Sequence, residues 1–124
     1  MSVDLLLDTH TFLWWDSGKL ARSVVKRIQA AGDVYVSAAS AWEVAIKASL
    51  GKLEAHASLA EASRDYGFLP LAISLEHADA VRALPWHHRD PFDRILIAQA
   101  MTEHLIIVSK DPWMKRYRVE IAWD

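Results

Sequence analysis

VDLLLD, residues 3–8, is an apolar run that ends on an aspartate, and LIIVSKD at residues 105–111 repeats that order. Runs of this kind predict buried strands near residues 3–8, 33–37, 68–72, 104–109 and 119–122. Helical patterns separate them, near residues 9–15, 20–31, 40–50, 57–66, 74–84, 91–103 and 112–116. Strands that alternate with helices pair in parallel through crossover connections. The sequence therefore predicts an α/β fold whose central, mostly parallel and twisted β-sheet is flanked by α-helices.

Composition narrows the class of protein. The chain has 124 residues, of which 52% are hydrophobic and 24% charged, so residues 1–124 are predicted to form one domain with its own core. The absence of cysteine excludes disulfides and thiolate metal sites. Asp4 and Asp8 interrupt the first apolar run, which argues against a signal peptide. No apolar stretch has the length of a membrane span, so we expect a cytoplasmic protein.

Four acidic residues follow predicted strands or open predicted helices. Asp8 and Asp111 come at the ends of apolar runs, Glu43 lies in the helix after residues 33–37, and Asp93 opens an apolar helix. Ligands of open α/β sheets bind outside the carboxyl ends of the strands, so these side chains are expected to converge there. Converging carboxylates repel one another unless a cation is present, and Mg²⁺ prefers oxygen ligands. The pattern indicates metal-assisted chemistry on a phosphate ester.

Each acid also has an ordinary structural explanation. Ser40 and Glu43 have the spacing of a capping box, and Glu43 precedes Lys47 by four residues, as in a helical ion pair. Asp90 and Asp111 each precede a proline, as helix N-cap residues often do. Capping and metal binding are compatible because a carboxylate has two oxygens, and both interpretations stay open.

Polar neighbours of the acids are candidate supporting residues. The hydroxyls could orient carboxylates or cap helices, and they belong to Thr9, Ser37, Ser40 and Ser109. Arg89 and Arg94 could contact phosphate or form ion pairs with Asp90 and Asp93. The adjacent pair His87 and His88 could bind a transition metal together with aspartate, but no His-x-x-x-His zinc signature is present, and the role of the pair stays open. Core and interface packing is expected for most of the six tryptophans.

Four segments together resemble the motifs of PIN-domain proteins of the VapC toxin type. Residues 5–10, LLLDTH, and residues 37–47, SAASAWEVAIK, resemble the first two motifs. Residues 88–100, HRDPFDRILIAQA, resemble the third, and residues 109–111, SKD, resemble the fourth. The resemblance extends over about residues 3–117, nearly the whole chain.

The resemblance implies a compact α/β fold and a Mg²⁺- or Mn²⁺-dependent endoribonuclease that is the toxin of a type II toxin–antitoxin system. It implies a homodimer, or a larger toxin–antitoxin assembly, inhibited by a cognate antitoxin. The metal site and catalytic residues it implies are Asp8, Glu43, Asp93 and Asp111. Asp8 and Asp93 are our choice for direct ligands, and Asp90 is an additional acid of this subgroup.

Two rival functions belong to other classes. A non-catalytic binding module could keep the fold and use its acidic groove to receive a basic protein partner. The other is a phosphatase or receiver domain that forms an aspartyl-phosphate. A phosphatase would normally carry Asp-x-Asp after the first strand, and a receiver would also carry paired acids there, whereas residues 8–10 read Asp-Thr-His. The identity of the RNA, and the choice between one metal and two, stay open.

Overall fold

Leu5, Leu6 and Leu7 form the central strand of a five-stranded parallel sheet in the computed structural model, which describes residues 3–54 and 58–123. The described strands are β1 (Leu5–Leu7), β2 (Val34–Ser37), β3 (Leu69–Leu71), β4 (Ile106–Val108) and β5 (Ile121–Ala122). The described helices are α1 (Thr9–Ser17), α2 (Arg22–Ala30), α3 (Ala38–Ser49), α4 (Leu59–Asp65), α5 (Leu75–Val81), α6 (Pro91–Glu103) and a 3₁₀ turn, Met114–Arg116. The predicted element order and the predicted α/β class are confirmed.

Differences from the prediction lie at element ends. Helix α3 begins at residue 38 because the Ser37 hydroxyl accepts the Ala39 amide and caps the helix there. Ser40 therefore lies inside the helix, and the predicted capping box between Ser40 and Glu43 is wrong. The predicted start of the fourth helix at residue 57 lies outside the described residues, and α4 begins at Leu59 with Ser58 as its cap.

Both faces of the sheet are covered by helices. Leu5 and Leu7 pack with Phe12 in one core layer, and Leu6 packs with Leu96 in the other. All three residues of β1 are buried, which explains why the strand is continuously apolar rather than alternating. No helix within the described residues is long and apolar enough to cross a bilayer.

The strand order places the ends of β1, β2 and β4 beside one another. The order is β3-β2-β1-β4-β5, and Leu7 is in register with Val36 of β2 and with Val108 of β4. The chain leaves β1 towards β2 on one side and reaches β4 on the other, which makes this edge a topological switch point. Asp8, Ser37 and Ser109 each follow these paired residues and therefore lie next to one another at the edge.

Three of the six tryptophans depart from the expected core packing. Trp42, Trp86 and Trp113 are 60%, 76% and 47% exposed. Trp15 agrees with the expectation, because its ring packs on Phe68 with centroids 5.4 Å apart. The exposed tryptophans lie within two residues of Glu43, His88 and Asp111.

Candidate metal centre

Asp8 lies at the centre of the sheet edge and is buried. One carboxylate oxygen, Oδ1, accepts the Thr11 amide at 2.8 Å and caps α1. The Ser109 hydroxyl also bonds to this carboxylate. Burial raises the pKa of Asp8, and the hydrogen bonds from Ser109 and Thr11 oppose that rise. Asp8 thus combines a cap with a buried carboxylate that ionises at a cost.

Glu43 presents one oxygen without a partner. Its Oε2 accepts Lys47 Nζ at 2.7 Å, which confirms the predicted helical ion pair and raises the pKa of Lys47. Its Oε1 is buried and has no hydrogen-bond partner within the part of the chain that the structure describes. An unsatisfied buried carboxylate oxygen is costly, so it marks a place where a ligand or water is expected.

Asp90 and Asp93 lie in the first turn of α6. Asp90 Oδ1 accepts the amides of Phe92 and Asp93 at 2.8 and 3.0 Å, and Pro91 occupies the first helical position. The predicted N-cap and the third-position acid are both confirmed. The cap leaves the Asp93 carboxylate free to point away from the helix amides.

The surroundings of Asp93 raise its pKa. Burial is the largest cause that raises the pKa of Asp93 to about 7, and the Asp90 charge is the next. The charges of Asp8 and Glu43 raise this pKa as well, whereas His88 lowers it. Three separate parts of the chain therefore add negative potential at one carboxyl group.

His88 joins two of the predicted site acids. Its Nε2 lies 2.9 Å from Asp111 Oδ2 and 3.0 Å from Asp93 Oδ2, and these three residues each offer a potential ligand atom within 4.8 Å of the others. Its Nδ1 accepts the Asp90 amide at 3.3 Å, so the neutral ring carries its proton on Nε2 and donates it to the carboxylates. The sequence singles out this residue but leaves its role open. The available signal was its place two residues before the α6 cap.

Asp111 uses its two carboxylate oxygens differently. Oδ1 accepts the Trp113 amide at 2.9 Å, and Oδ2 faces His88. The predicted cap at Asp111 therefore holds a turn that precedes the 3₁₀ segment. The Asp111 amide itself donates to Ser109 Oγ at 3.0 Å, which links this acid to the hydroxyl beside Asp8.

The other three predicted hydroxyls join helices and strands. Thr9 Oγ1 donates to Ser40 Oγ at 3.0 Å and connects α1 with α3. Ser37 Oγ donates to Gln99 Oε1 at 2.6 Å and connects the end of β2 with α6. These bonds fix the elements that carry the acids, whereas Ser109 contacts the carboxylate of Asp8 directly.

Arg94 lies behind the acids instead of at the surface. It is 3% exposed, and its guanidinium donates to backbone carbonyls of residues 81–88 and to the Tyr117 hydroxyl. The predicted phosphate contact or carboxylate ion pair is wrong, because the side chain turns inward, where carbonyl oxygens surround it. Arg89 is exposed.

The arrangement fits a hard divalent cation. The potential ligand atoms are mostly carboxylate oxygens, and one buried Glu43 oxygen is unsatisfied. Burial and the neighbouring negative charges raise the pKa of Asp93 to about 7. An open cavity of about 460 Å³ lies beside these acids, lined in part by Asp8, Lys110 and Asp111. The described residues of this edge therefore offer ligands for a metal ion.

Comparisons with known proteins identify related folds. A family model described as PIN domain matches residues 5–120. VapBC2 from Rickettsia felis, solved bound to a promoter DNA fragment, contains a similar chain with TM-score 0.75, 12% identity and coverage of 98% of this chain and 100% of that one. DNA-bound VapBC from Salmonella typhimurium gives TM-score 0.67 at 15% identity, with 97% of both chains covered. FitAcB from Neisseria gonorrhoeae gives 0.65 at 16%, covering 97% of this chain and 96% of that one. The comparison with curated proteins found no match.

Proposed function

The chain belongs to the PIN-domain family, and from this premise we propose that it is a Mg²⁺- or Mn²⁺-dependent endoribonuclease, the VapC-type toxin of a toxin–antitoxin pair. The observation that carries the proposal is that His88, Asp93 and Asp111 offer ligand atoms within 4.8 Å of one another, while the charges of Asp90, Asp8 and Glu43 act on Asp93. The toxin role is supported by a similar chain in a toxin–antitoxin complex from Klebsiella pneumoniae, with TM-score 0.65 and 17% identity over 95% of both chains.

The cation would be held by Asp8, Asp93 and Asp111, with Glu43 Oε1 directed to it or to a water beside it. When bound, such a cation lowers the pKa of an attacking water and offsets the negative charge that builds up on a phosphate ester. Mg²⁺ and Mn²⁺ suit the oxygen ligands.

Neighbouring side chains prepare the carboxylates. His88 donates from Nε2 to Asp93 and Asp111, which fixes one oxygen of each. Lys47 neutralises Oε2 of Glu43 and leaves Oε1 for the site. Lys110 lines the cavity and would contact the phosphate backbone of a single RNA strand.

RNA cleavage by the purified protein tests this function. We expect cleavage with Mg²⁺ or Mn²⁺ and none with EDTA. Asp8→Asn with Asp93→Asn should abolish cleavage and keep the fold, since asparagine also caps helices. Asp65→Asn, an exposed acid at the end of α4, is the matched control and should cleave as the wild type does.

Two outcomes would reject the nuclease. One is equal cleavage by the wild type and the double variant, which would show a contaminating enzyme. The other is a protein that cleaves no RNA yet captures a basic partner through its acids, which would favour the non-catalytic binding module.

We propose a cognate antitoxin as protein partner, with a basic segment that enters the acidic groove, and a cytoplasmic site of action. The exposed apolar side chains on the β3 side of the sheet suit an interface with a second copy or with the antitoxin, and they include Leu69, Ile73 and Leu75. Light scattering of the protein alone tests the homodimer. Co-expression with a neighbouring antitoxin gene, followed by mass measurement of the complex, tests the larger assembly.

A further inference from the structure

The segment between α5 and α6 carries His88 into the site, and a buried arginine holds this segment. Arg94 Nη2 donates to the carbonyls of Val81 and Leu84 at 3.2 and 3.3 Å. Its Nη1 donates to the carbonyls of Pro85 and His88 at 2.9 and 3.3 Å. One guanidinium therefore fixes four carbonyls along eight residues, a geometry that suits its rigid, planar set of donors.

A buried tyrosine from the carboxyl-terminal segment completes this network. The Tyr117 hydroxyl accepts the His88 amide at 2.8 Å and donates to the Pro85 carbonyl at 2.8 Å. It also accepts from Arg94 Nη1 at 3.3 Å. Tyr117 is 6% exposed, and its position in the sequence, 29 residues from His88, gives no sign of this contact.

Together these contacts occupy three of the four polar atoms of His88. Its amide bonds to Tyr117, its carbonyl bonds to Arg94, and its Nδ1 accepts the Asp90 amide. The remaining atom, Nε2, lies between Asp93 and Asp111. The backbone and the ring of this histidine are thus held so that one N–H reaches two site carboxylates.

We propose that Tyr117 and Arg94 are positioning residues for the metal centre, and that they act by holding His88 as the donor that sets the spacing of Asp93 and Asp111. This inference rests on the proposed function of the site. In this role His88 is a donor to the ligands and not a ligand itself. Its Nδ1 already accepts a hydrogen bond from the Asp90 backbone amide, so its Nε2 must keep its proton.

The prediction is a loss of cation affinity when a distant hydroxyl is removed. Partners of metal ligands typically contribute about 10- to 100-fold in affinity. Tyr117→Phe keeps the ring and removes the oxygen that accepts the His88 amide, so we expect Mn²⁺ to bind roughly tenfold more weakly. The measurement is Mn²⁺ titration calorimetry on the intact protein, with RNA cleavage as a second readout.

Tyr66→Phe is the matched control. It removes a hydroxyl that donates to Asp16 Oδ1 at 2.5 Å, in the aromatic cluster that Tyr66 forms with Phe12 and Phe68. We expect Mn²⁺ affinity and cleavage of this variant to equal those of the wild type. Arg94→Lys is a second test of the network, because lysine keeps the charge but lacks the planar set of donors. This variant should also bind Mn²⁺ more weakly than the wild type.

A double-mutant cycle separates positioning from a general structural role. If Tyr117 acts through His88, then Tyr117→Phe should cause no further loss of Mn²⁺ affinity in a His88→Ala background. An equal loss in both backgrounds would overturn the inference, and so would wild-type affinity in Tyr117→Phe and Arg94→Lys. Failure of the proposed function itself is distinct, because then the wild type would bind no Mn²⁺ or the Asp8→Asn, Asp93→Asn double variant would bind it equally well.

Discussion

Phe12 and Asp8 lie four residues apart at the start of α1, yet burial has opposite effects on stability in the regions to which they belong. Phe12 is almost fully buried against Phe68 and Tyr66, with ring centroids 6.3 Å apart in each pair, and the polar edge of that cluster is satisfied by the Tyr66–Asp16 bond. Asp8 is equally buried, but its burial raises its pKa. The comparison teaches that the aromatic layer stabilises the fold and the acidic edge opposes it.

The acidic edge destabilises the metal-free fold, and a bound cation would remove this destabilisation. Asp93 ionises only near pH 7, and Glu43 Oε1 lacks a partner within the described residues. Without a cation, such a site is sustained by stability that other regions supply. Substitutions should therefore divide into two groups. Those at the acidic edge should lower activity and raise stability, and those in the aromatic layer should lower stability and leave cation binding unchanged.

Asp93→Asn should have the largest effect on activity. We expect RNA cleavage to fall roughly 100-fold or more, because a charged ligand is lost. The melting temperature of the metal-free protein at pH 8 should rise, since asparagine adds no charge to an already negative edge. The measurements are the initial rate of RNA cleavage and the melting temperature, both on the same preparation of the variant. A variant that is both inactive and less stable would contradict this division.

Phe12→Ala should give the reverse result. Truncation of a fully buried phenylalanine costs about 3 kcal/mol or more, so the free energy of unfolding should drop by that amount. The Mn²⁺ dissociation constant of the folded fraction should stay at its wild-type value, because no contact to the acids changes. Urea unfolding and calorimetry measure the two quantities. A tenfold change in the dissociation constant would show that the two regions are coupled.

The pH dependence of stability comes next in size. The folded, metal-free protein has Asp93 with its pKa near 7, above the ordinary value of 3.8, and the pKa of Asp8 is raised as well. Between about pH 4 and 7 the folded state therefore binds more protons than the unfolded state, and stability must fall as pH rises. The limit is about 1.4 kcal/mol per pH unit for one extra proton.

Thermal unfolding in EDTA from pH 4.5 to 8 measures that slope. Excess Mg²⁺ should raise the melting temperature most at the alkaline end, where the carboxylates are ionised and can bind it. Asp93→Asn should flatten the slope, and Asp65→Asn should leave it unchanged. A melting temperature that rises with pH in EDTA would contradict the electrostatic description of this edge.

The features that the sequence predicts are the local ones. Apolar runs and cap residues are adjacent in the chain, so the sequence alone predicts the strand positions, the Asp90 cap and the Glu43–Lys47 pair. The parallel sheet predicts that the acids lie near one edge, because the carboxyl ends of its strands meet there, and Asp93 and Asp111 do lie together beside His88.

The features that the sequence does not predict depend on orientation across long separations. His88 contacts Asp111 at a separation of 23 residues and Tyr117 at 29. Arg94 precedes the apolar part of α6, and its sequence position predicts a phosphate contact or an ion pair, because nothing local shows whether a side chain turns inward. The Ser40 cap fails for a local reason instead, because Ser37, three residues earlier, takes the capping role.

Lys47→Met has the smallest predicted effect, and it tests whether a single charge beside the acidic edge changes its affinity for a cation. Lys47 Nζ pairs with Glu43 Oε2, but the lysine side chain is 42% exposed, so its loss should cost at most about 0.5 kcal/mol of stability. Removing this positive charge makes the edge more negative, and Mn²⁺ should bind a few-fold more tightly. Calorimetry of Lys47→Met beside Lys26→Met, a lysine on the distant α2, measures the difference. Weaker binding in Lys47→Met alone would mean that the lysine orients Glu43 more than it competes with the cation.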